Sequence, residues 1–388
     1  NSSLINQITD ASTIIINGDQ LIGSTKKDSL KLLTIAYAAK TLYNKPVFLL
    51  NLSICSDLHE QKPIPNTLYQ QLLKTLDGIT TQDPLTSSFL TDLEIKHKAG
   101  FNCTPLYIEN NYRVSIDKKS NNIIFAGIES LSDDVLPELA KYSGLVGSNG
   151  FEIKILIEAK TDIQPNHKNA QLLQSLLSDT ENNCTFVYIH DVNSWLKTIA
   201  EAKLLISSQA NYIVTASFVR TPCITLGACI ENTALTSTLN IHQPLELSTA
   251  NLTELLLQYS LAILESPELF LTPEAQLNSL NIQAKQNFAP LKNQIQQKAI
   301  AQQLKTYSRE TLISIIIQAI EDKQHAEALN LIHAAFQQYK DDATLLYLQG
   351  LIFHYLNKLN ESLESLFKSL ESNPNEAIVY EEIALILG

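Results

Sequence analysis

The sequence predicts an α/β protein with two parallel-sheet lobes, followed by an all-α C-terminal region. Short apolar runs of strand length recur along the first 270 residues, and helical segments separate them, as parallel strands require. After position 309 the chain instead repeats with a period of 34 residues and contains only helical patterns. The predicted domains are a first lobe (1–120), a second lobe (121–270), a helical connector (271–308) and the repeats (309–388).

Length and composition restrict the class of protein. The chain has 388 residues, a net charge of −12 and only three arginines, which argues against a nucleic-acid surface because such surfaces need clustered cations. Its five scattered cysteines predict free thiols rather than a disulfide framework or a zinc site. No signal peptide and no apolar run of about 20 residues is visible, so we expect a cytoplasmic protein without a transmembrane segment.

The first lobe begins with a β-branched run at 13–17, which predicts a strand that ends at Gly18. A helix at 27–42 and a buried strand at 46–52 follow, and 78–90 is typical of a strand that enters a helix. Asp83 precedes Pro84, a residue that a helix tolerates in its first turn. Nothing before Thr13 supplies the strand and helix that open such a lobe, so we expect either that this lobe is incomplete or that its first residues lie outside this sequence.

The second lobe continues the alternation with strands at 122–127, 152–158 and 184–190 and helices at 132–142 and 166–177. Asp191 is a predicted N-cap of the next helix, whose apolar residues recur at helical spacing. A βαβ unit then runs from a strand at 204–207, through a short helix, to a strand at 223–226. The loop at 207–211 follows the carboxyl end of a parallel strand, which is where such sheets bind ligands.

The order of features in this region resembles the C-terminal signature of the polysaccharide pyruvyl transferase family. These features are His190-Asp191, a helix that carries Trp195, a strand, Ser207-Ser208, a helix of small residues, and a strand after Pro222. Members of that family resemble GT-B glycosyltransferases, in which two Rossmann-like lobes face each other across a cleft. The resemblance therefore implies a GT-B-like fold, a phosphoenolpyruvate or nucleotide-sugar donor, and a glycan acceptor such as a cell-surface precursor.

The chain departs from the family at the positions that carry charge. A Ser-Arg-x-His motif of the family is Ser208-Gln209-Ala210-Asn211 here, and an Arg-Asp-x-x-Ser pattern is Gln82-Asp83-x-x-Thr86. Amides donate hydrogen bonds but neither neutralise an anion nor transfer a proton at neutral pH. The residues that the resemblance assigns to donor binding are Gly18, Gln82, Asp83, Ser207, Ser208, Gln209 and Asn211. Two of them have structural alternatives, since Gly18 fits an ordinary turn and Asp83 fits a helix N-cap.

Other titratable residues at predicted strand and helix ends are weaker candidates. His190 is a candidate catalytic acid or base, although a strand-end histidine bonded to a neighbouring backbone group is the alternative. Glu158 and Glu231 are candidates for binding sugar hydroxyls, against an interpretation as solvated surface residues. We expect no metal and no cofactor.

The 34-residue period resembles tetratricopeptide repeats. Positions one period apart agree in size, with small residues where the two helices of a repeat must approach: Leu312 and Leu346, Ala328 and Ser362, Leu329 and Leu363, Ile332 and Leu366, Ala335 and Ser369. The resemblance implies a surface for a peptide or protein partner. Two functions follow: a pyruvyl- or glycosyltransferase-like enzyme with an altered donor motif, or an inactive GT-B-like scaffold that binds a partner through its repeats.

Overall fold

The computed structural model describes residues 2–19, 21, 27–54, 66–112, 119–158, 168–178, 184–247, 251–295 and 307–388. The chain divides into two compact units, Asn1–Phe288 and Ala289–Gly388. The first unit contains two parallel sheets, and the described part of the second is helical.

The first sheet has four parallel strands in the order β1-β2-β3-β4. Its elements in chain order are α1 (Ser2–Asp10), β1 (Ile14–Asn17), α2 (Lys27–Thr41), β2 (Val47–Leu52), α3 (Asn66–Lys74), β3 (Gly78–Thr81), α4 (Pro84–Asp92) and β4 (Lys98–Ala99). Strand β2 is central and almost wholly buried, which explains its continuous apolar run. Its side chains pack with α2, α3 and α4 into one core.

The second sheet has five parallel strands in the order β7-β6-β5-β8-β9. After α5 (Thr104–Asn111), its elements are β5 (Asn122–Ala126), α6 (Leu136–Ser148), β6 (Glu152–Glu158), α7 (Lys168–Ser178), β7 (Cys184–Ile189), α8 (Val192–Glu201), β8 (Leu204–Ser207), α9 (Ala210–Phe218), β9 (Cys223–Thr225), α10 (Ile230–Leu239), α11 (Leu252–Glu265) and α12 (Glu274–Gln286). Alternate residues of its strands point into two separate cores, so helices cover both faces.

The connection between the two sheets contains a helix that the sequence pattern did not predict. Helix α5 contributes Ile108 to the core of the second sheet, and Phe101 just before it lies in the same core. Helix α12 returns to this connection, where the buried Asn287 donates its Nδ2 to the carbonyl oxygen of Phe101 at 2.6 Å. Gly100 is required there, because a Cβ would lie 2.7 Å from Asn287 Oδ1 and 2.8 Å from the oxygen of Thr81.

Two further details of this unit differ from the sequence-based prediction. The segment before Thr13, for which no helix was predicted, contains α1. Helix α6 begins at Leu136 rather than at Ser132. Pro137 explains the second difference: in a helix from 132 it would be an interior residue and would clash with the preceding turn, whereas at 137 it lies in the first turn.

The helical unit contains α13 (Arg309–Glu321), α14 (His325–Ala335), α15 (Ala343–Tyr355), α16 (Leu359–Ser372) and α17 (Ala377–Leu387). Arg309 makes a bidentate ion pair with Asp342, the N-cap of α15, with distances of 2.6 and 3.1 Å. Residues one 34-residue period apart share their burial, and four positions with no exposed surface are Ala328, Ser362, Ala335 and Ser369. Gly350 allows α15 to approach α16, since a Cβ would lie 2.7 Å from Leu366.

None of the helices that the structure describes is long and apolar enough to cross a membrane. Within the same residues, no group of three or more histidine, cysteine, aspartate or glutamate side chains is arranged to hold a metal ion.

Candidate functional site

The polar residues of the α/β unit converge where the carboxyl ends of its two sheets meet. In the first sheet, Asp19 follows β1, Asn51 lies near the end of β2 and Gln82 follows β3. In the second sheet, the loop at 207–211 connects β8 to α9. Open parallel sheets bind their ligands at this edge, so the facing ends form the candidate site.

A chain of side-chain hydrogen bonds joins the two lobes across this site. Asn102, in the connection between the sheets, donates its Nδ2 to Gln82 Oε1 at 3.3 Å and to Asn211 Oδ1 at 3.1 Å. Gln82 donates its Nε2 to Asp19 Oδ1 at 2.8 Å. Two residues predicted for donor binding, Gln82 and Asn211, are therefore brought together through a third amide that the sequence analysis did not single out.

Asn51 is directed into the site by an irregularity in β2. The register between β2 and β3 shifts between Leu49 and Leu52, and Asn51 has a positive φ of 58°. Such bulges re-aim side chains and recur beside active sites. Asn51 Nδ2 donates to Gln82 Oε1 at 3.1 Å, whereas its shielded Oδ1 has no hydrogen-bond partner among the described residues.

Asp83 and Gly18 both have structural roles in the first lobe. Asp83 is the N-cap of α4 and accepts hydrogen bonds from the backbone nitrogen and the hydroxyl of Thr86, both at 2.7 Å. Gly18 is buried, and a Cβ there would lie 2.8 Å from the Cα of Leu52. Gly18 thus permits close packing of β1 against β2 beside the site.

The loop at 207–211 is held by bonds to its own backbone and to the loop after β5. The buried Ser207 accepts a hydrogen bond from the backbone nitrogen of Gln209 at 3.1 Å, and Ser208 donates its hydroxyl to the oxygen of Gly127 at 3.1 Å. Gly127 has a φ of 72°. The side chain of Gln209 packs over it, so a Cβ at 127 would lie 2.7 Å from Gln209 Cγ. Asn211, in the first turn of α9, is exposed and faces the other lobe.

Asn232, in the first turn of α10, ties this loop to the end of β9. The side chain is 5% exposed, and its Nδ2 lies 3.2 Å from the oxygen of Ser208, 3.0 Å from that of Leu226 and 3.0 Å from that of Gly227. The loops after β5, β8 and β9 therefore form one bonded assembly.

The remaining predicted residues lie at different distances from the loop at 207–211. His190 is exposed and follows β7, which three strand spacings, about 14 Å, separate from β8. Glu231 lies in the first turn of α10, next to Asn232. Glu158 ends β6, and its side chain lies outside the described residues. The neighbour of Glu231, Asn232, thus bonds to the loop, whereas His190 follows a strand that lies apart from it.

Two described cations, Lys119 and Arg220, lie at the amino-terminal ends of strands of the second sheet, away from this site. Lys119 precedes β5, at the amino-terminal end of the strands, opposite the site. Its Nζ donates to the oxygens of Ala200 at 2.8 Å and Arg220 at 3.2 Å. Burial lowers the pKa of Lys119 to about 8. Arg220 donates its Nη1 to the oxygen of Thr272 at 2.6 Å. In the part of the chain that the structure describes, the hydrogen-bonded chain between the lobes therefore consists of neutral amides and one carboxylate, Asp19.

Sequence reasoning missed four residues of the site, namely Asp19, Asn51, Asn102 and Asn232. A usable signal exists for two of them, because Asp19 and Asn51 stand at the ends of predicted strands. Asn102 and Asn232 carry no such signal, since they act through a connection and a helix whose positions depend on tertiary packing.

Comparisons with known proteins bear on the fold. No family model and no curated protein sequence matches the chain. Among solved structures, it is similar to a UDP-GlcNAc 2-epimerase from Neisseria meningitidis bound to UDP-GlcNAc, with a TM-score of 0.50, 13% identity and coverage of 75% of this chain and 79% of that one. It is also similar to S. aureus MnaA with UDP, with a TM-score of 0.50, 13% identity and coverage of 79% of this chain and 82% of that one. A third similar structure is a UDP-N-acetylglucosamine 2-epimerase from Rickettsia bellii, with a TM-score of 0.50, 12% identity and coverage of 75% of this chain and 76% of that one. A likeness at this identity shows the fold alone, and the two parallel α/β lobes accordingly form a GT-B-like fold.

Proposed function

We propose that the chain is a cytoplasmic, glycan-modifying enzyme that binds a nucleotide sugar between the lobes of its α/β unit. The observation that carries this proposal is the hydrogen-bonded chain of Gln82, Asn102 and Asn211, which spans the facing sheet edges. Two of the structural neighbours were determined with UDP or UDP-GlcNAc, which supports the same ligand class here.

Among the described residues, the hydrogen-bonded chain between the lobes contains amides and a carboxylate but no cation, which favours a nucleotide sugar over phosphoenolpyruvate as the donor. Phosphoenolpyruvate has a phosphate and a carboxylate on three carbons, so its recognition depends on cations. A nucleotide sugar also offers hydroxyls, ring oxygens and a base, which amides recognise through hydrogen bonds. We therefore place glycosyl transfer ahead of pyruvyl transfer.

The proposed reaction needs one group that accepts a proton. The acceptor hydroxyl oxygen forms a bond to the anomeric carbon, the bond from that carbon to the donor phosphate breaks, and the nucleoside diphosphate leaves. Asp19, which is exposed and belongs to the interlobe chain, is the carboxylate placed to take the hydroxyl proton. Gln82 and Ser53 both donate to its Oδ1, at 2.8 and 3.1 Å, and so hold it in place.

The second candidate function is an inactive scaffold that binds a peptide or protein partner through its helical repeats. The bidentate Arg309–Asp342 pair and the small buried residues one period apart favour a regular repeat array. This partner surface and the enzyme reaction are compatible, so only the state of the cleft separates the two proposals.

A thermal-shift titration of the full-length protein with UDP, UDP-GlcNAc and phosphoenolpyruvate separates them. A ligand that binds only the folded state at 100 times its Kd adds about 2.7 kcal/mol of stability, which raises the Tm by several degrees. We expect UDP and UDP-GlcNAc to raise the Tm of the wild type and of Asn149→Ala, a control at the exposed asparagine that directly follows α6, outside the cleft. Asn211→Ala should lose most of this shift.

Three other outcomes decide the alternatives. A response to phosphoenolpyruvate alone would support pyruvyl transfer. No response to any of the three ligands would support the scaffold. An equal shift in Asn211→Ala and Asn149→Ala would place the nucleotide outside the proposed site.

A further inference from the structure

Asn102 has an unusual place in the candidate site, because it contacts both lobes and belongs to the connection between them. It is half-buried, between β4 and α5. Its Oδ1 accepts a hydrogen bond from the backbone nitrogen of Thr104 at 2.8 Å. Since an amide oxygen only accepts and an amide nitrogen only donates, this bond fixes the orientation of Asn102 and directs its Nδ2 toward the cleft.

The orientation of Gln82 is fixed from its other side. Asp19, as a carboxylate, only accepts hydrogen bonds, so Gln82 must turn its Nε2 toward Asp19 and its Oε1 toward Asn102. Asn51 Nδ2 also donates to that Oε1, in agreement with this assignment.

The orientation of Asn211 then follows from Asn102. The fixed Nδ2 of Asn102 requires an acceptor, so Asn211 turns its Oδ1 toward Asn102 and its Nδ2 away from it. Asn211 is exposed in the first turn of α9, where backbone N–H groups also point outward. The side chain thereby adds donors to a helix end that already carries donors.

We infer that Asn102 is a positioning residue that makes Asn211 a hydrogen-bond donor to a ligand oxygen in the cleft. This inference rests on the proposed function and narrows it: the group that meets Asn211 is an acceptor, a phosphoryl or sugar oxygen of the nucleotide sugar, and not a hydroxyl acting as a donor. Asn102 itself touches no ligand in this role.

The substitution Asn102→Asp tests the inference because it changes one group only. Aspartate keeps the Oδ1 that accepts the backbone N–H of Thr104, but it replaces the donating Nδ2 with an acceptor. Asn211 then turns its Nδ2 toward Asp at position 102 and presents its Oδ1 to the ligand. We expect the Kd for UDP, measured by isothermal titration, to rise at least tenfold, whereas Asn102→Ala, which leaves Asn211 free to rotate, should raise it only a few-fold.

The new negative charge is a competing cause of weaker UDP binding, and a double-mutant cycle with Asn211→Ala removes it. If Asn102 acts through Asn211, Asn102→Asp has no further effect in the Asn211→Ala background. If charge repulsion is the cause, the same loss appears in both backgrounds, and the inference is overturned.

The remaining outcomes are also decisive. Asn102→Ala weakening UDP binding more than Asn102→Asp would show that Asn102 only supports the fold, and would contradict the inference. Should Asn102→Asp not fold, the cycle of Asn102→Ala with Asn211→Ala makes the same test, with a few-fold loss expected only when Asn211 is present. A wild type that does not bind UDP contradicts the proposed function. If the wild type binds UDP but the effects of the two substitutions on the free energy of binding are additive, this inference alone is contradicted.

Discussion

Single residues of the candidate site show how amides can define a pattern that charged groups usually define. Gln82 and Asn211 stand where the family resemblance places Arg and His, and each is held by a partner of fixed orientation. These two positions thus carry directed hydrogen-bond donors and acceptors. Neutral donors lose less binding energy in high salt than cations do, because screening acts on net charge.

Lys119, at the amino-terminal end of β5, predicts how the stability of the protein depends on pH. Its Nζ donates to Ala200 O, Arg220 O and Thr221 Oγ1, and burial lowers its pKa from 10.5 to about 8. Between these two values the unfolded chain holds the proton and the folded chain has released it. Because the unfolded state binds more protons there, the contribution of Lys119 to stability rises as the pH increases from about 8 to about 10.

Urea unfolding of the wild type and Lys119→Met across that pH range checks this prediction. The cysteines, whose pKa values burial raises, are common to both proteins, so their effect cancels in the difference. We expect the difference in the free energy of unfolding to grow with pH. A difference that stays constant or shrinks would show that the folded amine keeps its proton.

Sequence reasoning located residues better when their role is local than when it is tertiary. Asp191 was predicted as an N-cap from its neighbours, and it accepts the backbone N–H of Ser194 at 2.9 Å. By contrast, His190 is adjacent to Asp191 in sequence, yet the strand order places it about 14 Å from β8. The order of strands in a sheet is not contained in the periodicity of any one strand.

At the scale of elements, the turn after β5 depends on a glycine for two separate reasons. Gly127 has a φ of 72°, and its missing Cβ makes room for Gln209. Gly150, after α6, has a similar φ of 82°, but a Cβ there would meet nothing within 4 Å. The two glycines therefore separate the cost of the backbone conformation from the cost of the contact.

We expect Gly150→Ala to lower the free energy of unfolding by about 1 kcal/mol, which is the cost of a left-handed residue with a side chain. Gly127→Ala should cost about 1–3 kcal/mol more, because it also displaces Gln209. Chemical denaturation of the two variants measures the difference. Equal losses would mean that Gln209 moves aside freely.

Sequence periodicity predicted elements well where their own residues determine them. Strand β6 occupies the predicted range 152–158, and the helix predicted at 27–42 is α2. The missed helix α5 has two asparagines among its eight residues and no strong apolar stripe. Its position follows from Ile108, which packs into the core of the second sheet, and that contact is invisible in a local pattern.

At the scale of the whole molecule, the chain has two compact units with separate cores. Gly350 offers a probe of the helical unit alone, since a Cβ would lie 2.7 Å from the buried Leu366. In an exposed helix, Gly→Ala stabilises by about 1 kcal/mol. Here we expect Gly350→Ala to destabilise by about 1–3 kcal/mol, so the sign itself reports the contact.

Calorimetry of the full-length protein tests whether the units respond separately. We expect Gly350→Ala to lower the Tm of one transition, and saturating UDP to raise the Tm of the other. A single transition that both changes move would show instead that the two units unfold together.

The return of α12 to the interlobe connection has a mechanical consequence. The chain crosses between the lobes once before α5, and Asn287 at the end of α12 fastens a second segment to that crossing through Phe101 O. A single connection would allow one lobe to rotate relative to the other in any direction. Because Asn287 bonds a second segment beside this crossing, we expect the lobes to turn mainly about an axis through these two segments, so that the amides of the cleft return to the same partners.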